Sequence, residues 1–549
     1  MYQLKGKFLI FILILMLGVV LRLWGLQQYP VHLSHDEVSQ AYDAISIAQT
    51  GKDIYGNFLP TIFPSVGDYK SPFYTYATAL VYLLIGNHEW MIRIVGVIFG
   101  ILIIPAVFWF TLKLTKESKM ALFAAFFTAI SSSEIHFSKK SFESGAGIFF
   151  VLIAFICFVT YLEKQRTPKW LYTGVIFSVF GMYTYFSHAI IIPLMLAAFI
   201  LIFRKKFYGG VKKYLPALML WILLLVPLMM IILTNPGSRY RSQDVFITQD
   251  SVLEKQLNLI ANESLSLSRF LQFKTTGDAI FNRYLAQFDP VYLFGNGLGL
   301  TNQGMIDIGP FLFFQLPLLL IAVFYLAKST EFSNAYKLLG VWIIFGVLPS
   351  SLTFEAFSPH RMVIVFTLVN ILSGIGAYWL WQKINNLKLY KTAIILILAI
   401  VLLFNEVYFF HIYFVNNPYE KSEYIQYPFK QISEFAWSQY DNFDLIVIDP
   451  LFGGDAPFIA TATQYYLAYF GNYPPAKFQK EYRIGNKERE TTFDKFSIRK
   501  IVWIEDQHLK KTLFIGSWLS LPVQSIDKDR IIKIFYSYDG KPAFYAVKL

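Results

Sequence analysis

Long apolar stretches alternate with short polar joints over the first three quarters of the chain. Runs suited to crossing a bilayer fall at about 7 to 24, 91 to 112, 120 to 136, 145 to 162, 170 to 186, 188 to 203, 214 to 233, 308 to 327, 338 to 354, 361 to 382 and 392 to 411. They predict about eleven transmembrane helices. The stretch from Pro72 to Gly86 is different: its fifteen residues would reach only ~22 Å as a helix, short of the ~30 Å hydrocarbon layer. Counting it as a span would invert every later helix, so it is placed flat or half-inserted at the outer surface. Beyond residue 412 the pattern shortens. Segments 444–449, 499–504, 531–536 and 543–547 read as strands, with a helix over 458–470. The expected organisation is a membrane domain over 1–411 and an extracytoplasmic soluble α/β domain over 412–549.

Composition agrees with the pattern. Of 549 residues, 55% are hydrophobic, 18% aromatic and 15% charged, which excludes an ordinary soluble domain. The single cysteine, Cys157, lies in an apolar run and provides no intramolecular disulfide. The first run lacks a small-x-small cleavage pattern and reads as a retained helix. A net charge of +12 invites a nucleic-acid reading, but its placement argues against one. The N-terminus and the loops around 113–119, 164–169, 204–213, 328–337 and 383–391 carry 18 basic residues against three acidic ones. This asymmetry puts them, and the N-terminus, on the cytoplasmic side of a multi-pass cell membrane protein. The segments 25–90, 131–147 and 235–307, with everything after 412, then share the outer face. The tail has 17 basic and 16 acidic residues, so charge alone does not hold it to lipid.

The chemistry-bearing residues gather on that outer side. Ser34-His35-Asp36-Glu37 opens an amphipathic segment in which Val38, Ala41, Ile45 and Ile47 are spaced like one helical face. Ser34 or His35 could cap it, and Gly51, Gly56 and Pro60 end it. A carboxylate there suits general-base catalysis on a hydroxyl, and Lys or Arg suits the charge growing on a departing phosphate. Lys70, Arg93, Lys139, Lys140, Arg283 and Arg361 are the cationic candidates. Each has a plainer reading: a helix N-terminus for Asp36 and Glu37, lipid anchoring for Lys70, Arg93 and Arg361, and pairing with Lys139 or Lys140 for Glu143. His188 reads as a structural hydrogen bond, and Asn262-Glu263-Ser264 as a chance glycosylation triplet.

Leu21-Arg22, Pro30, Asp36-Glu37, Thr50-Gly51, Lys70-Ser71-Pro72, Gly86 and Arg93 together resemble the GT-C membrane glycosyltransferases. The nearest branch holds the protein O-mannosyltransferases and the lipid A aminoarabinose transferase. The stretch Phe137-Ser-Lys-Lys-Ser-Phe-Glu143 is similar to that family's Ser-Arg-x-x-x-x-Glu/Asp segment, with Lys139 for the usual Arg, and weaker echoes occur at 284–294 and Pro359-His360-Arg361. The family usually has Lys-Pro-Pro where this chain has Lys70-Ser71-Pro72. The resemblance implies a GT-C fold and an inverting transferase acting outside the membrane on a polyprenyl-phosphate sugar and a protein, lipid or glycan acceptor. It further implies Asp36 as general base with Glu37 beside it, Glu143 holding sugar or acceptor, and Lys70 on the lipid phosphate. It includes no obligatory metal, although related oligosaccharyltransferases use one and a divalent cation stays open here. The competing classes are a flippase or transporter, which would need ionisable residues at mid-span, and a polymerase or ligase of lipid-linked envelope saccharides.

Overall fold

The computed structural model describes residues 2–65, 69–163, 167–207, 210–234, 245–261, 265–295, 304–329, 333–355, 357–387, 389–453, 458–459, 462–485 and 490–549. Asp68, Lys164, Arg166, Glu331, Lys388 and the Asn262–Ser264 triplet lie outside them. By Cα proximity the chain divides into two compact units. One comprises Met1–Trp24 with Arg93–Ile412, the other Gly25–Ile92 with Tyr413–Leu549. The 25–90 segment therefore clusters with the C-terminal region rather than with the helices that flank it in sequence.

In the first unit the apolar runs are largely helical, although the run expected over 308–327 becomes helical only from Gln315. This unit begins with α1 (Tyr2–Leu23); the second unit then contributes α2 (His35–Thr50) and α3 (Pro72–Ile85). The first unit resumes with α4 (Met91–Thr115), α5 (Ser118–Ile130), α6 (Ser132–Ser138), α7 (Glu143–Glu163), α8 (Pro168–Thr184) and α9 (Phe186–Ile202). Its later apolar helices are Leu215–Thr234, Gln315–Lys328, Ser333–Gly346, Val363–Asn385 and Lys391–His411. Among the described residues five helices are long and apolar enough to cross a membrane, six if the pair α5 and α6, bent by 55°, is one span. Others are shorter, 17 residues each in α8 and α9, because the backbone breaks in extended conformation at Tyr185 between them.

The bend between α5 and α6 frees carbonyls that water cannot reach, and Arg22 takes them up. Its guanidinium is fully buried and donates to the Ala129 (2.9 Å), Thr128 (3.0 Å) and Gly18 (3.2 Å) carbonyls. Past the bend, the Glu134 carboxylate accepts from the Thr367 hydroxyl at 2.6 Å, tying α6 to the Val363–Asn385 helix. That helix packs against α5 on one side and Gln315–Lys328 on another. A Cβ at Gly374 would collide with the Ala124 backbone, and one at Gly376 with the Leu318 carbonyl. Small residues at both points let three helices meet backbone to backbone.

The second unit carries a seven-stranded mixed sheet. Its strands are β3 (Leu445–Ile448), β6 (Arg483–Ile484), β7 (Thr491–Phe493), β8 (Phe496–Ile498), β9 (Thr512–Gly516), β10 (Ile531–Tyr536) and β11 (Pro542–Lys548), in the spatial order β10-β11-β9-β3-β8-β7-β6. Two further two-stranded pairs stand apart from it, β1 (Phe63–Pro64) with β2 (Tyr69–Lys70) and β4 (Leu451–Phe452) with β5 (Phe458–Ile459). β3 runs parallel to both neighbours, and Ile446, Val447 and Ile448 are fully buried, as a central parallel strand requires. The strand expected over 499–504 is displaced: β8 ends at Ile498. Arg499 instead makes a two-pronged bond to Asp506, whose carboxylate also accepts from the Val502 amide and winds 503–506 into a helical turn. β9, between Lys511 and Ser517, was not anticipated, and the helix expected over 458–470 starts at Thr463, after β5.

The close helix crossing is testable. Gly376→Val is expected to cost about 1–3 kcal/mol, the usual range for overpacking a filled interior, and to lower the melting temperature of the purified protein in detergent. Substitution at Gly340, where an added Cβ meets nothing within 4 Å, is expected to leave it nearly unchanged.

Candidate active site

The first turn of α2 is built by its own sequence. Ser34 is extended (φ −69°, ψ 162°), and its hydroxyl accepts from the Glu37 amide at 3.3 Å, while the Glu37 carboxylate returns to the Ser34 amide at 2.9 Å. This reciprocal capping box buries Glu37 and commits one of its oxygens to the backbone. At the other end Gly51 adopts the left-handed conformation (φ 69°) that terminates the helix. Asp36 sits at the second helical position with its side chain 61% exposed. The structure thus separates the acidic pair: Glu37 closes the cap, and Asp36 is presented outward.

Lys70 arrives from β2, opposite Phe63 of β1. Its ammonium is buried and donates to the Asp36 carbonyl at 2.7 Å and the Ser39 hydroxyl at 2.5 Å, and it stands 3.5 Å from the Asp36 carboxylate. An ammonium has three donors, so two are spent on holding the turn and the third faces Asp36. His35 Nε2 lies 3.6 Å from the other Asp36 oxygen, while its Nδ1 meets the Gln426 amide at 2.7 Å and the His35 backbone amide donates to Gln426 Oε1 at 2.9 Å. Tyr466 adds a bond to the Leu33 carbonyl at 2.6 Å. Sequence reasoning found Asp36, Glu37 and Lys70 but not Ser39, Gln426 or Tyr466. Ser39 was detectable one helical turn after Asp36; nothing local marks Gln426 and Tyr466, 391 and 433 positions from the residues they bond.

One turn further along α2, Asp43 is 1% exposed and accepts from the Ile54 amide at 3.1 Å. Burial, opposed by that bond, pushes its carboxyl up to about 8, and the nearby Asp53 contributes in the same direction.

In the membrane unit the second group of candidates comes together. Lys139 is fully buried and its ammonium donates to the Trp24 carbonyl at 2.5 Å; burial, with Arg93 beside it, lowers the ammonium to about 8. Arg93 is itself 3% exposed. Lys140 lies 5.8 Å from the centre of the Phe142 ring, which stacks on His360 at 6.5 Å, and His360 in turn faces Tyr185 at 6.4 Å. Beside it, Arg361 pairs with Glu355 at 2.9 Å, and Ser358 bridges Glu355 (2.6 Å) and His360 Nδ1 (3.1 Å). Glu143 is the first residue of α7, at the positive end of its dipole. Arg283 is directed elsewhere, onto Asp250 and the Phe354 carbonyl, both at 2.5 Å. His188 is buried and packs against Gly147.

Among the described residues no group of three or more His, Cys, Asp or Glu side chains is placed to hold a metal ion. The Lys70 ammonium and the His35 imidazole both lie near the Asp36 carboxylate.

Part of the chain matches one family model, and the fold is similar to those of ArnT and an archaeal oligosaccharyltransferase. Residues 69–231 match the family described as dolichyl-phosphate-mannose-protein mannosyltransferase. ArnT from Cupriavidus metallidurans in the apo state superposes with a TM-score of 0.51 at 13% identity over 99% of this chain and 98% of its own. The same protein bound to undecaprenyl phosphate gives 0.51 at 11% identity with the same coverage. The archaeal oligosaccharyltransferase AglB from Archaeoglobus fulgidus, in complex with an inhibitory peptide and a dolichol-phosphate, gives 0.51 at 14% identity over 88% of this chain. Of AglB the chain spans 66% of the length. No curated protein sequence matches the chain. The likeness to GT-C glycosyltransferases read from the motifs is thus borne out.

Two measurements check the site. Gln can replace Glu in a capping box, so Glu37→Gln is expected to keep the fold's stability and Glu37→Ala to lose about 1 kcal/mol in thermal or chemical unfolding. The raised Asp43 carboxyl is protonated in the fold and ionised when unfolded. Its stabilising contribution is therefore complete below about pH 4 and is lost as pH rises through about 8. Asp43→Asn is expected to flatten the melting-temperature profile between those limits.

Proposed function

We propose that this chain is an integral membrane glycosyltransferase that moves a sugar from a polyprenyl-phosphate donor to an acceptor hydroxyl on the outer face of the membrane, with inversion and with Asp36 as general base. Support comes from the family match, from the shared fold with ArnT and AglB, and from the lipid phosphates those proteins bind. The observation that carries the base assignment is the division within the acidic pair. Glu37 is buried with one oxygen committed to the cap, whereas Asp36 is exposed on a turn that Lys70 holds.

In the proposed step the acceptor oxygen attacks the anomeric carbon from the face opposite the phosphate. Its proton passes to an Asp36 carboxylate oxygen as the new carbon–oxygen bond forms. The bond from carbon to the phosphate oxygen breaks, and its electron pair leaves with the polyprenyl phosphate. Attack from the opposite face inverts the centre. Lys70 contributes by holding the Asp36 backbone and by placing its positive charge 3.5 Å from the carboxylate. Arg93, Lys139, Lys140, His360 and Arg361 are the candidates for substrate contact, with Glu143 for sugar or acceptor. Within this reading all eleven apolar helices sit in the cell membrane, the N-terminus is cytoplasmic and the 413–549 region is extracytoplasmic.

A membrane assay with polyprenyl-phosphate mannose, glucose or aminoarabinose as donor tests the reading. Asp36→Asn is expected to lower transfer at least about a hundredfold while the protein stays folded, the usual scale for removing a general base. Full transfer by the folded variant refutes the assignment.

A further inference from the structure

Within the second unit, one face of α2, the end of α3 and the turn that follows the Thr463–Phe470 helix enclose a pocket of about 270 Å³. Its floor is made of buried aromatic rings, Tyr42, Tyr469 and Tyr473, and its rim of three exposed amides, Gln49, Asn87 and Asn472. No carboxylate, ammonium or guanidinium group lines it. The rim is tied in two places: Gln49 Nε2 donates to the Tyr82 hydroxyl at 2.7 Å, and Asn87 Nδ2 donates to Asn472 Oδ1 at 2.8 Å. Each bond uses one amide N–H. A primary amide carries two such donors and a carbonyl acceptor, so the rim retains unused groups of both kinds. The floor is held from behind, by Tyr42 donating to the Tyr473 carbonyl at 2.9 Å and Tyr469 to the His88 carbonyl at 3.2 Å.

We propose that this pocket is a saccharide subsite that takes one neutral sugar unit of a glycan acceptor, an inference that rests on the transferase reading above. Tyrosine edges and proline rings give the pocket an apolar wall for the C–H groups of a pyranose, and uncharged amides pair with hydroxyls acting as donor and acceptor at once. The absence of charge in the lining selects against uronate, phosphate or amino sugars. A peptide fits less well, because the lining comes from helices and a turn and offers no strand edge on which an extended chain could add. Tyr42 and Gln49 lie six and thirteen residues after Asp36 on the same helix, about 9 and 20 Å along its axis. A sugar seated here is therefore not the one being glycosylated at Asp36 but a neighbour further along the chain, and the acceptor has more than one unit.

Hydrogen–deuterium exchange of the full-length protein in lipid nanodiscs tests this without turnover. The probes are maltotriose, mannotriose and chitotriose, with an uncharged alanine tripeptide as control. At least one trisaccharide is expected to protect the 468–475 amides at millimolar concentration. The Asn87→Ala/Asn472→Ala variant, altered only at exposed rim positions and checked for an unchanged melting temperature, is expected to need about tenfold more ligand. Protection is expected to persist in Asp36→Asn, so loss of the base assignment and loss of the subsite give different results. The subsite is overturned if no trisaccharide protects the segment, if the rim variant binds as well as the parent, or if the tripeptide protects it in place of the sugars.

Discussion

The start of α2 depends on a single buried ammonium. Lys70 reaches from the β1–β2 hairpin to the Asp36 carbonyl and the Ser39 hydroxyl, and its remaining charge faces the Asp36 carboxylate. A cation removed from water must be surrounded by acceptors, so the hairpin and the first turn of α2 hold each other in place. The capping box acts on the same turn from the other side. With both in place, one carboxylate is positioned rigidly at a helix N-terminus while its side chain remains wet, the arrangement a base needs if it is to be ionised and still reach a substrate.

The membrane unit uses the same chemistry. Arg22 closes the carbonyls freed at the α5–α6 bend, and Lys139 donates to the carbonyl of Trp24 at the end of α1. Three cations that stand at motif positions, Arg22, Lys70 and Lys139, are thus committed at least partly to backbone oxygens. In an apolar surrounding that use is strongly favoured, because an unsatisfied carbonyl is costly where water is absent. A basic residue in such a motif can therefore act on catalysis by shaping the backbone around the reacting groups. By contrast, Lys140, His360 and Arg361 are joined through ring stacking and a carboxylate network, with no backbone break to mend.

The pocket at the far end of α2 extends this arrangement. One helix carries the proposed base at its N-terminal turn and an amide-rimmed aromatic pocket along its later turns. A straight helix fixes the interval between the two, which is a means of measuring an acceptor that consists of several units.

The long apolar helices were legible because each is a run of apolar residues whose helicity needs no partner. The cap of α2 was equally local, set by Ser34, Glu37 and Gly51. Three matters were decided only by the tertiary structure. Residues 25–92 cluster with 413–549 through bonds such as His35 to Gln426, whose members have no sequence relation. The strand expected at 499–504 was displaced by a buried Arg499–Asp506 pair, which bent the backbone against its β-forming residues. And Asp36 was set against the Lys70 ammonium and the His35 ring with its side chain left exposed. Local pattern determines which segments become helix or strand; which face of them meets another part of the chain depends on burial and hydrogen bonds made across hundreds of residues.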